Sequence, residues 1–141
     1  MATEDVKSRV AALARQHNVQ VTWADLGDDA GHTHDDRITL DKNMDAHTTL
    51  STFFHELGHV HCFRNGIFRD FHETDLFERT AKYCNWKNGL KVEQWVDKWA
   101  EQQAKRDMPE LGRIYQAYWD IPMAARKRCL ESAMPSTCKR R

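Results

Sequence analysis

Residues 45–66 read D-A-H-T-T-L-S-T-F-F-H-E-L-G-H-V-H-C-F-R-N-G, and this stretch decides the fold. Asp45 carries the short acceptor side chain that caps helix starts, and Gly66 stands where a helix ends in a left-handed residue. Between them Leu50, Phe53, Phe54, Leu57 and Val60 give a broad apolar face, so a long, half-buried helix is expected to about Asn65. Within it stands His55-Glu56-Leu57-Gly58-His59, an H-E-x-x-H sequence. Residues four apart project from one helix face, so these two imidazoles can converge on a single zinc ion. Glu56 then stands beside the metal, placed to take a proton from its water.

Outward toward the N-terminus, residues 37–40 (Arg37, Ile38, Thr39, Leu40) are rich in β-formers and read as a short strand. Residues 27–36, G-D-D-A-G-H-T-H-D-D, are expected to be an exposed loop. Val19, Val21 and Trp23 alternate as in another strand. Before them Thr3 caps a first helix, with Glu4 and Asp5 in its first turn and Val6, Val10 and Leu13 as its apolar stripe, ending near Asn18. Outward toward the C-terminus, a third helix is expected over 75–86, closed by Asn88-Gly89, and a fourth over 90–106. Asp107 and Glu110 form a capping-box pattern around Pro109 that opens a fifth. Asp120 and Pro122 open a last helix ending before Pro135, followed by a frayed basic tail. The sum is an α+β, mostly helical chain with a small N-terminal sheet. It forms a single domain over 1–141, with its core at about 19–106, C-terminal helices over 107–134 and the tail over 135–141.

Composition agrees with one domain. The chain has 141 residues, and its 21 basic and 21 acidic side chains cancel, which argues against a dedicated nucleic-acid binder. Mean hydropathy of −0.78 describes a polar but foldable chain. No apolar run approaches the ~18–20 residues of a membrane span, and the N-terminus lacks a signal-peptide pattern, so a cytoplasmic protein is expected. Cys62, Cys84, Cys129 and Cys138 form no C-x-x-C unit and are expected to be reduced, with Cys62 a small buried filler. His32 and His34 belong to the solvated acidic loop.

A catalytic zinc site needs a third protein ligand and an open fourth position. A distal histidine three turns on is excluded, because Cys62 and Asn65 occupy the corresponding positions. Glu73, Glu78 and Glu93 remain, and helix geometry favours Glu93. Lys91, Gln94, Lys98, Glu101, Gln102 and Lys105 share one polar arc, while Val92, Trp95, Val96 and Trp99 lie opposite. Glu93, Asp97, Ala100 and Ala104 form a strip flanking that apolar face. Two acids beside small alanines suggest close helix approach, with the carboxylates turned toward a cation. Glu93 would bind the metal, and Asp97 would accept the second ring N–H of a ligand histidine. The plainer alternative is an amphipathic helix whose acids lie at its solvent margin.

The helical H-E-L-G-H, its Thr52-Phe53-Phe54 lead-in, the preceding strand and the later E-x-x-x-D-x-W-A resemble the ImmA/IrrE-type zinc metallopeptidases, small gluzincins often found in phages and mobile elements. The resemblance covers about residues 19–104. It implies a zincin-like domain holding one zinc ion through His55, His59 and Glu93, with Glu56 as catalytic base. Residues 37–40 would be the edge strand along which a peptide substrate lies extended. The implied activity is endopeptidase hydrolysis of a protein or peptide substrate. Glu78 stays in reserve as ligand. His61, His72, Tyr83, Tyr115 and Tyr118 are candidate donors to the oxyanion. Two other readings stay open: a zinc-stabilised binding or inhibitor module without catalysis, and a SprT-type DNA-associated protease with His72 as third histidine.

Overall fold

The Thr3 hydroxyl accepts the Val6 N–H at 3.3 Å and so starts α1 (Glu4–His17), which Asn18 closes at a left-handed φ of 55°. Val6, Val10 and Leu13 are buried, as their spacing predicts. A computed structural model describes residues 2–27, 29–69 and 86–111, with 86–90 as backbone. It is α+β and mostly helical, with one small sheet among those residues. The helix expected over 75–86, apart from Trp86, the helix expected from Asp120 onward and the tail lie outside the described residues.

The sheet has the order β1-β3-β2, with β1 (Gln20–Ala24) parallel to β3 (Arg37–Asp41) and β2 (Gly31–His34) antiparallel to it. Two expectations are corrected here. Residues 27–36 are not all loop, since residues 31–34 pair with residues 37–40 across a two-residue Asp35-Asp36 turn. Asp35 takes φ 57°, a conformation that aspartate tolerates better than most side chains. And the 37–40 segment is the central strand, not an edge. Ile38 and Leu40 are wholly buried, and strands on both sides occupy the main chain of β3. The edge on this side is β2.

The main helix, α2 (Ala46–Asn65), has the expected ends. The Asp45 carboxylate accepts the Thr48 N–H at 2.7 Å, which holds its pKa below the ordinary value, and Gly66 closes the helix at φ 68°. Phe53, Phe54, Leu57 and Val60 pack with Ile38, Leu40 and the α1 stripe in the main core. The next described helix, α3 (Trp86–Asp107), begins earlier than expected. Asn88-Gly89 lies inside it, because a helical glycine costs only about 1 kcal/mol relative to alanine and the buried face that follows outweighs that. The centre of this face is the Val92, Val96, Asp97, Ala100 and Ala104 strip, while Trp95 and Trp99 sit at its margin, partly exposed. Gly58 explains how closely the helices cross. A Cβ there would stand 2.7 Å from Val96 Cγ1 and 3.3 Å from Trp99 Cε3.

Asp107 is the last residue of α3. Its carboxylate accepts from Gln16 at 3.0 Å and Gln103 at 3.1 Å and pairs with His17 at 2.7 Å. That corrects its expected role as the cap of a fifth helix. A 3-10 turn, Pro109–Leu111, follows it at the limit of the described residues. Among the described residues no helix is long and apolar enough to cross a membrane.

Candidate metal centre

Helical pitch brings His55 and His59 together on the face of α2 that meets α3. Their ring centroids are 5.0 Å apart and their Nε2 atoms 3.3 Å apart. From α3, the Glu93 carboxylate reaches both rings, with Oε2 2.8 Å from His55 Nε2 and Oε1 3.3 Å from His59 Nε2. One turn further on, Asp97 Oδ1 lies 2.7 Å from His55 Nδ1. A ligand atom from each of His55, His59 and Glu93 can be chosen so that all lie within 4.8 Å of one another. It is the one such group of three found among the described residues. Gly58 makes this possible, since a side chain there would hold α3 away from the two histidines.

The electrostatics of the group suit a cation. Burial alone would make His55 less basic, but Glu93 and Asp97 reverse this and hold its pKa well above the ordinary imidazole value. Burial likewise opposes ionisation of Glu93, yet His59 and His55 keep its pKa well below the ordinary carboxylate value. Asp97 is 1% exposed, and its second oxygen, Oδ2, is buried without a hydrogen-bond partner. One fully buried carboxylate, Asp97, and one partly buried, Glu93, therefore face two imidazoles here. Such burial costs several kcal/mol unless positive charge compensates it. The raised pKa of His55 favours a proton there, and a divalent metal ion fits the same position. Two imidazole nitrogens and one carboxylate suit a first-row divalent cation, and three protein donors leave further positions open.

Glu56 stands outside this ligand group. Its side chain turns instead to the edge strand, where the Thr33 hydroxyl contacts both its carboxylate Oε2 and, at 3.2 Å, its main-chain oxygen. Glu56 is 7% exposed, so this partner matters. The sequence reading missed Thr33, because it placed that residue in a solvated loop. One signal was present: a β-branched residue two positions before an Asp-Asp turn, followed by the β-rich residues 37–40.

The remaining candidates separate clearly. Cys62 is fully buried, and burial and the nearby Glu93 push its thiol up to about 12, as expected of an inert filler. His61 stacks on Trp99 and Trp95 at centroid distances of 4.7 and 6.3 Å, and burial lowers its pKa. His32 and His34 sit on β2 near Asp29 and Asp35, at 3.9 and 3.5 Å, and join no group of three ligands. His72, Glu73, Glu78, Tyr83, Tyr115 and Tyr118 lie outside the described residues.

No family model matches the chain, and no curated protein and no solved structure matches it either.

Proposed function

We propose that the chain is a zinc-dependent endopeptidase of zincin-like fold, hydrolysing peptide bonds of a protein substrate. One observation carries the reading. His55, His59 and Glu93 converge from two helices, while Glu56, beside His55 in the chain, stays out of that group with its carboxylate held at the edge strand. A purely structural metal site has no use for such an acid.

His55 Nε2, His59 Nε2 and the Glu93 carboxylate would hold the ion. When bound, zinc supplies Lewis acidity, polarising a scissile carbonyl and bringing the pKa of water toward ~7. The other roles belong to the chain's own residues. Asp97 takes the Nδ1–H of His55 and so keeps the Nε2 lone pair on the ligand side. Glu56 accepts a proton from the attacking water on its carboxylate and returns it to the leaving amine.

The substrate-binding role that the resemblance gave to Arg37, Ile38, Thr39 and Leu40 passes to β2. The Asp41 N–H bonds Ala30 O at 2.9 Å, and hydrogen-bonded pairs alternate along an antiparallel ladder. The main-chain groups of His32 and His34 therefore turn toward β3, and those of Gly31 and Thr33 toward the outer edge. An extended peptide can add there as a further strand.

The test is hydrolysis of a quenched-fluorescence peptide library by the full chain with and without zinc. Cleavage is expected only with zinc. It should fall by about 10²–10⁴ in Glu56→Gln, which keeps its zinc. Undiminished cleavage by Glu56→Gln would contradict the assignment of the base.

A further inference from the structure

The Thr33 side chain joins the edge strand to the proposed base. Gly31 lets β2 press against α2, since a Cβ there would stand 2.9 Å from both Thr39 O and Thr52 Cγ2. Thr33, two residues on, shares that strand face and meets Glu56, one helical turn beyond Thr52. Its hydroxyl has one proton to give, and the closer of its two acceptors is the carboxylate Oε2. A β-branched side chain on a paired strand has little χ1 freedom, so this donor is fixed in place. A glutamate side chain has three torsions, and without a partner it samples many positions.

We infer, on the reading of Glu56 as base, that Thr33 is a positioning residue for it. The Thr33 hydroxyl occupies Oε2 and leaves Oε1 as the oxygen that moves the proton. The same residue turns its main-chain N–H and C=O to the outer edge of β2. A docked peptide strand and the base are thereby both referenced to Thr33, one through its backbone and one through its side chain. Strand addition then fixes the distance between the peptide and the carboxylate that acts on it.

The experiment compares Thr33→Val, which keeps the shape and removes the donor, with Thr33→Ser, which keeps the donor. Thr33→Val should lower kcat about tenfold, the effect of one lost hydrogen bond at a reacting group. KM should stay within about twofold, since the edge main chain is untouched, and zinc content should not change. Thr33→Ser should recover most of the loss. Wild-type kcat in Thr33→Val, or an equal loss in both variants, would overturn the inference.

A second readout needs neither metal nor turnover. Urea unfolding of metal-free Thr33→Val, Glu56→Ala and the double variant should give a coupling of about fivefold in the unfolding constant, and no coupling would overturn the contact itself. Persistent cleavage by Glu56→Gln would instead sink the base assignment and leave this coupling standing, so the two failures are distinguishable.

Discussion

Two histidine–aspartate pairs of equal length bind α3 to the rest of the molecule: His55 Nδ1 with Asp97 Oδ1, and His17 Nε2 with Asp107 Oδ2, both at 2.7 Å. Their surroundings differ. Asp107 spends its carboxylate on Gln16, His17 and Gln103, all donors, and ties the end of α1 to the end of α3. Arg64 strengthens the same corner by donating to the main-chain oxygens of His17 and Asn18. At the other pair, Asp97 keeps a buried oxygen without a partner, and the far nitrogen of His55 is aimed at Glu93. A contact of 2.7 Å therefore does not reveal a role. The groups around the contact do, and beside His55 these are His59 and Glu93, which with it could hold a metal ion.

That contrast can be broken by one substitution on each side. Asp97→Asn should weaken zinc binding by roughly 10–100-fold, the usual effect of removing the partner that orients a ligand histidine. A competition titration against a chromophoric chelator reads this directly. Asp107→Ala should leave zinc affinity within about twofold and lower the unfolding free energy by about 1–2 kcal/mol, measured by urea denaturation. An equal loss of zinc affinity in both variants would erase the distinction.

pH sharpens it further. The Asp107 carboxyl is opposed by burial but held below its ordinary value by Gln103, His17 and Gln16. A lowered folded pKa contributes stability above the ordinary value of 3.8, lost as pH falls through the lowered one. His55 runs the other way. With its pKa raised well above 6.5, it stabilises the metal-free fold below 6.5, and that contribution is lost as pH rises through the raised value. Metal must displace the same proton, so zinc affinity should rise over the interval in which metal-free stability falls. Calorimetry in buffers of different ionisation heat should show proton release on zinc binding. A pH-independent affinity across that interval would contradict the arrangement.

Much of this was legible before any coordinates, and the reasons are local. Thr3, Asp45 and Gly66 bound their helices because capping depends on a few adjacent residues. His55 and His59 were readable because helical pitch alone brings them together. Glu93 and Asp97 were readable because buried alanines one and two turns on mark the strip facing α2. What could not be read depends on distant partners. β2 is polar, and only pairing with β3 and close approach to α2 make it a strand. The central position of Ile38 and Leu40 follows from neighbours on both sides, which a β-rich run of four residues does not specify. Trp95 and Trp99 looked like core by hydrophobicity, yet the strip holding Asp97 lies deeper, because a small residue permits the close crossing that a large ring prevents. Asp107 carries a helix-capping signal, but residues some ninety positions away claim its carboxylate first.

The central claim is that His55, His59 and Glu93 form one metal site, and zinc titration of the full chain tests it most directly. Wild type should bind one zinc ion per chain, and Glu93→Ala should lose more affinity than Asp97→Asn while remaining folded by circular dichroism. No zinc uptake by wild type, or unchanged affinity in Glu93→Ala, would contradict the account.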